Sequence, residues 1–164
     1  MKSIFLLSLV FSLSATAQEC KLIKENDPYT KETKLSTGFI SLKGGSVTVD
    51  ADSKEIDFLF SLEGVDKCFD NNATATIILE GSKTKTTIRN AGTMNCEGLF
   101  HFIFKNAASN NSILKKLTTQ KITQLIFTVT DKKKETIITL TPEQQQTLLT
   151  LSGCLVNDAK ALIK

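Results

Sequence analysis

The chain has 164 residues, 20 Lys and Arg against 17 Asp and Glu, a formal net charge of +3, four cysteines and no tryptophan. That length suits a single domain able to bury its own core. The near balance of charge implies no nucleic-acid or acidic-membrane partner. With Tyr29 as the single tyrosine, the usual aromatic equipment for stacking on bases or sugars is also missing.

Met1-Lys2-Ser3 precedes an apolar run, Ile4 to Leu13, broken by Ser8 and Ser12, and Ser14-Ala15-Thr16-Ala17 follows. A charged start, a short apolar stretch and small residues at Ala15 and Ala17 make a signal peptide over 1–17, cut after Ala17, with one domain over 18–164. Ten such residues form about 15 Å of helix, half of a hydrocarbon core of about 30 Å. Cys20 follows Gln18-Glu19 rather than the apolar run itself, so no lipid anchor is expected. The longest later apolar stretch, Leu99 to Phe104, is interrupted by His101. The product is expected to be secreted or periplasmic, with no stable membrane anchor after cleavage.

Cys20 to Lys24 and Lys34 to Leu42 read as strands around Asn26-Asp27-Pro28-Tyr29-Thr30, where Pro28 fixes φ and Asp27 can accept bonds from the following backbone. Gly44-Gly45 turns the chain into Ser46 to Val49. Asp50 to Lys54 turns it again into Glu55 to Leu62, where Ile56, Phe58, Phe60 and Leu62 alternate with Asp57, Leu59 and Ser61, the period of a strand with one buried face. A polar loop over 64–72 carries Cys68. Ala73 to Glu80 and Lys83 to Asn90 flank Gly81-Ser82, a type II′ hairpin signal. Lys83, Lys85, Thr87 and Arg89 share one face of the second strand, which predicts a solvated side.

After a loop over 92–98, Leu99 to Phe104 reads as a central strand because both faces are apolar. Ser109 to Thr118 sets Ile113, Leu114 and Leu117 at helical spacing. Ile122 to Thr130 and Thr136 to Leu140 form a hairpin around Asp131 to Glu135, with Lys132-Lys133-Lys134 as its solvated tip. Thr141-Pro142-Glu143-Gln144 opens a helix with an N-cap, Pro at the first position and a capping box, predicted to run to about Ser152. The fold class that follows is α+β, a mainly antiparallel sheet of seven or eight strands with two short helices, with a β-sandwich decorated by helices as the alternative.

Export would place all four cysteines where disulfides persist. Four cysteines allow three connectivities. Extending the ladder from Glu80 opposite Lys83 brings Cys68 within one residue of facing Cys96, which favours a Cys68–Cys96 bridge and leaves Cys20 to join Cys154. A zinc site is not expected, because no close C-x-x-C pair occurs.

No catalytic, metal-binding or cofactor-binding residue can be assigned from the sequence. His101, the single histidine, lies between phenylalanines and reads as a satisfied or partly buried strand residue, with no G-x-S-x-G nucleophile turn to serve. Oxidised thiols exclude a cysteine nucleophile. Asp50, Asp52, Glu55 and Asp57 cluster at one turn, and Asp66 and Asp70 flank Cys68. Pairs of these could act as acid and base or bind Ca²⁺, yet the 50–55 stretch lacks the Gly of an EF-hand loop, so turn-forming roles are expected. There is no phosphate-binding glycine loop. The pairs in Thr74-Ala75-Thr76, Thr84-Lys85-Thr86 and Thr128-Val129-Thr130 lack a repeat and fit ordinary strand propensity. Asn72-Ala73-Thr74 and Asn110-Asn111-Ser112 match the N-glycosylation sequon.

Ala15-Thr16-Ala17-Gln18 with Cys20 close behind, the Asp27-Pro28-Tyr29-Thr30 turn, the loop from Asn90 to Cys96 and the late Cys154 together resemble small secreted bacterial proteins that carry no assigned chemistry. The resemblance implies a periplasmic or secreted bacterial setting and transfers no catalytic residue. The expectation is an exported, non-enzymatic domain binding a macromolecule or surface ligand, with no nucleic-acid partner and no cofactor. The alternative is a carboxylate-dependent hydrolase outside the cytoplasm.

Overall fold

The structure is a computed structural model that describes residues 20–64, 68–109, 111–129 and 135–163. The segment 1–17 expected as a signal peptide, Asp66, the lysine run 132–134 and Asn110 of the second sequon lie outside the described residues.

Ten strands and two helices are described, all strand pairs are antiparallel, and the class is α+β, mainly β. The larger, six-stranded sheet runs β1 (Ile23–Asn26), β2 (Thr33–Ser36), β4 (Gly45–Ala51), β5 (Glu55–Leu62) and β8 (Leu99–Lys105), with β3 (Ile40–Leu42) also paired to β4. The smaller, four-stranded sheet runs β10 (Glu135–Thr139), β9 (Ile122–Thr128), β6 (Thr74–Leu79) and β7 (Thr86–Arg89). The period-2 pattern of β5 holds throughout: Ile56, Phe58, Phe60 and Leu62 point inward and are buried. Phe100 and Phe102 extend that face on β8, and Phe127 meets them from β9, with ring centroids 5.4 Å from Phe60 and 5.1 Å from Phe100. The two sheets therefore share an aromatic core, where such ring pairs add to the burial of apolar area.

The segment 34–42, expected as one strand, is two. Gly38 adopts φ +67°, and around it the chain bulges out. Thr37 keeps the gap bonded to β4, its backbone N–H donating to Val49 O at 2.9 Å and its Oγ1 accepting from Val49 N at 2.9 Å. This break brings the described strands to ten, above the seven or eight expected.

β8 ends the strand order of its sheet rather than lying at its centre. Its second edge is met by the stretch after β7, where Ala91 N donates to His101 O at 3.0 Å. The hairpin from β6 to β7 has the predicted register, Thr74 facing Arg89 and Ile77 facing Thr86, but the ladder stops there. The turn lies at Leu79–Ser82 instead, with Ser82 N donating to Leu79 O at 3.2 Å and Gly81, φ +69°, at its third position. A positive φ suits that place in a turn, and glycine supplies it without steric cost.

Helix α1 (Ser112–Thr119) starts at an Asn111 cap, whose side chain accepts from Leu114 N. Helix α2 (Pro142–Ala159) has the predicted cap at Thr141, with the reciprocal bond from Thr141 N to Gln144 Oε1 at 2.9 Å. It continues past Ser152 because Gly153 does not stop it. A Cβ at Gly153 would stand 3.3 Å from Thr118 O, so glycine serves the close approach of α1. α2 also touches β2, β3, β4 and β9, flanking both sheets.

Both disulfides are present, Cys20–Cys154 and Cys68–Cys96, and no described cysteine is free. An isolated bridge between Phe69 and Asn95 shifts the hairpin register by one residue and sets Cys68 opposite Cys96. Among the described residues no helix is long and apolar enough to cross a membrane.

Candidate functional site

Residues alternating with the buried set emerge on the outer face of the larger sheet. Asp50 on β4 faces Asp57 on β5, while Leu59, next along that face of β5, faces His101 on β8. Asp57 and His101 are thus diagonal neighbours across β5 and β8, within reach of longer side chains. His101 Nδ1 lies 2.7 Å from Asp57 Oδ2, and the two side chains keep 22% and 20% of their exposure. With Nδ1 carrying the donated proton, Nε2 of a neutral ring is the acceptor.

The imidazole is held from two sides. Asn90, only 3% exposed, uses its Oδ1 to accept from His101 N at 2.9 Å and from Gly92 N at 3.2 Å, while its Nδ2 donates to Asp70 O at 3.1 Å. Gly92 lies so close to the ring that a Cβ there would stand 2.5 Å from His101 Cδ2. Glycine at this position is a requirement of packing. Burial pushes the Asp57 carboxyl above its ordinary pKa; the hydrogen bond and charge of His101 pull the other way, and Asp50 and Glu55 add to the rise. The second oxygen of Asp57, Oδ1, is buried without a partner among the described residues.

Beside this pair lies a groove of about 300 Å³ along β1, β2, β4 and β5. Asp50, Asp52, Glu55 and Asp57, the carboxylates grouped in the sequence, all line it, joined by Glu25, Lys34 and the half-exposed Ile23. They are not equivalent. Asp52 Oδ1 accepts from Lys54 N at 2.7 Å and Glu55 N at 2.9 Å, which is the turn-forming role expected. Asp50 and Glu55 take part in none of the described side-chain hydrogen bonds or ion pairs. Asp70 is not part of the groove; its carboxylate accepts from Asn72 N and Ala73 N beside the Cys68–Cys96 bridge.

Of the threonine pairs, Thr74 and Thr76 lie on one face with Thr128, whereas Thr86 faces Ile77 on the other side of the sheet and Thr130 lies outside the described residues. Thr74, Thr76, Thr87, Thr128 and Thr139 share the outer face of the smaller sheet with Ile78, Ile126 and Ile137. Neighbouring strands bond through Thr76 Oγ1 and Thr87 Oγ1 at 3.3 Å and from Gln124 Nε2 to Thr139 Oγ1 at 3.2 Å.

A His–Asp pair can hold and move a proton, but acyl transfer also requires a nucleophile bonded to the free ring nitrogen. No described hydroxyl bonds to Nε2, and every cysteine is in a disulfide. No three described His, Cys, Asp or Glu side chains gather as a metal-ligating group. No known protein family, curated protein or solved structure matches the chain.

The sequence did not reveal the clasp of Asn90 or the pairing of Asp57 with His101. Asp57 and His101 alternate with the buried residues of β5 and β8, and that parity was the available signal; Asn90, buried just past the end of β7, offers none.

Proposed function

We propose that this chain is exported from a bacterial cell after loss of 1–17 and acts as a binding domain without chemistry of its own, its ligand lying in the outer groove of the larger sheet. The observation supporting this is the groove lining: five carboxylates against Lys34, with exposed Ile23 at one side and the Asp57–His101 pair adjoining. That combination suits a cationic ligand with an apolar portion, such as a lysine- and leucine-containing segment of a protein. The two disulfides agree with an oxidising compartment.

Calorimetric titration with such a peptide tests this. Binding should weaken about tenfold with Asp50→Asn combined with Glu55→Gln, and should fall with added salt, as screened charge attraction does. The second reading, a hydrolase, is favoured by the Asp57–His101 contact. Absence of peptide binding, together with hydrolytic activity that Asp57→Asn abolishes, would establish it in place of the first.

A further inference from the structure

We infer that Phe39 is the apolar specificity contact for the ligand of the acidic groove, which makes that ligand an extended basic peptide with an apolar side chain two residues from a lysine. The inference rests on the groove being a binding site and adds what the groove selects. Phe39 is 85% exposed, although its neighbour Ile40 is buried in the core. Backbone register explains this. Thr37 N donates to Val49 O and Ile40 pairs with Val47, so Gly38 and Phe39 together stand opposite Thr48 alone. Two residues against one make a β-bulge, a feature that recurs beside functional sites because it re-aims a side chain.

The bulge sets Phe39 on the same outer face as the groove. With Ser46 of β4 and Ser61 of β5, both alternating with buried core residues, it lines a second hollow of about 320 Å³. Ile23 joins the two hollows. It lines the groove, and a Cβ placed on Gly38 would stand 3.2 Å from its Cδ1. Thr48 is the next outward position of β4 after Asp50, so Phe39 lies about 7 Å along the strands from the carboxylates of the facing pair Asp50 and Asp57. Side chains on one face of an extended peptide repeat at the same interval, i and i+2. Charge identifies the occupant. The whole chain has a formal net charge of +3, yet five carboxylates and Lys34 line the groove, and Glu63 is the charged residue of the second hollow. A surface of that sign draws a cationic partner and disfavours acidic ones. An apolar side chain seated on Phe39 then selects among basic segments, since burying apolar surface adds affinity whatever the charge.

Calorimetry with two synthetic peptides, acetylated and amidated, tests this: one of three Lys-Gly-Leu repeats, the other with serine in place of each leucine. The protein should bind the leucine peptide about tenfold more tightly, the fold-change expected from burying part of a leucine side chain. Phe39→Ser should lose that preference while its circular dichroism matches that of the parent. Nuclear Overhauser contacts between the leucine methyls and the Phe39 ring, read in the unsubstituted complex, check the same point without a variant. Equal affinity for the two peptides, a preference that survives Phe39→Ser, or a bound leucine peptide without contact to the Phe39 ring would each overturn the proposal. The groove reading would survive those results if Asp50→Asn with Glu55→Gln still weakened binding, whereas failure of both peptides to bind would overturn the two together.

Discussion

Strands β5 and β8 carry two chemistries on one backbone ladder. Inward, Phe58, Phe60, Phe100 and Phe102 are wholly buried and packed ring against ring; outward, Asp57 and His101 retain about a fifth of their exposure and hold each other by one short bond. Because successive side chains point to opposite faces, the core can be dense while the other face carries polar groups. Stability is concentrated on one face and titratable chemistry on the other.

Substitutions should separate the two faces. The largest effect is expected for Phe100→Ala, which removes contacts with Phe69, Phe102 and Phe127 and should cost about 3–5 kcal/mol in a denaturant titration. Asn90→Ala is expected to cost about 2–3 kcal/mol, since it strips bonds from buried backbone groups, and to loosen His101, visible as a shifted imidazole resonance.

The smallest and most specific effect concerns Asp57. Its folded carboxyl keeps its proton above the ordinary value of 3.8, so over that interval the native chain binds more protons than the unfolded one. The contribution of this group to stability is therefore full below the ordinary pKa and is lost as pH rises through the raised one. Asp57→Asn lacks this loss. The stability of the parent relative to Asp57→Asn should fall as pH rises above the ordinary carboxyl value of 3.8, as compared by denaturant titrations at each pH. A constant difference would show that the folded carboxyl releases its proton at the ordinary pH.

Much of the inner face was legible because it is local: alternation marks β5, Thr141 and Gln144 mark the start of α2, and the hairpin register pointed to Cys68 and Cys96. The outer site was less legible because it is made by distant segments. Asp57 and His101 are 44 residues apart, and β5 joins β8 across an intervening hairpin that belongs to the other sheet. Gly38 and Gly153 mislead in opposite ways. Gly38 interrupts what reads as a continuous strand, whereas Gly153 has the character of a helix terminator but lies where two helices touch. Neighbouring backbone, which a linear reading does not display, decides both.

The two disulfides are nested, Cys20–Cys154 enclosing Cys68–Cys96. A chain made from its N-terminus presents Cys20 first and Cys68 next, yet those two must not join. Oxidation in order of appearance would yield Cys20–Cys68 and Cys96–Cys154, a connectivity incompatible with this sheet arrangement. The inner bridge can close once the hairpin is made, whereas Cys20 reaches its partner only after α2, near the end of the chain, has docked, and any bridge it makes earlier has to be exchanged.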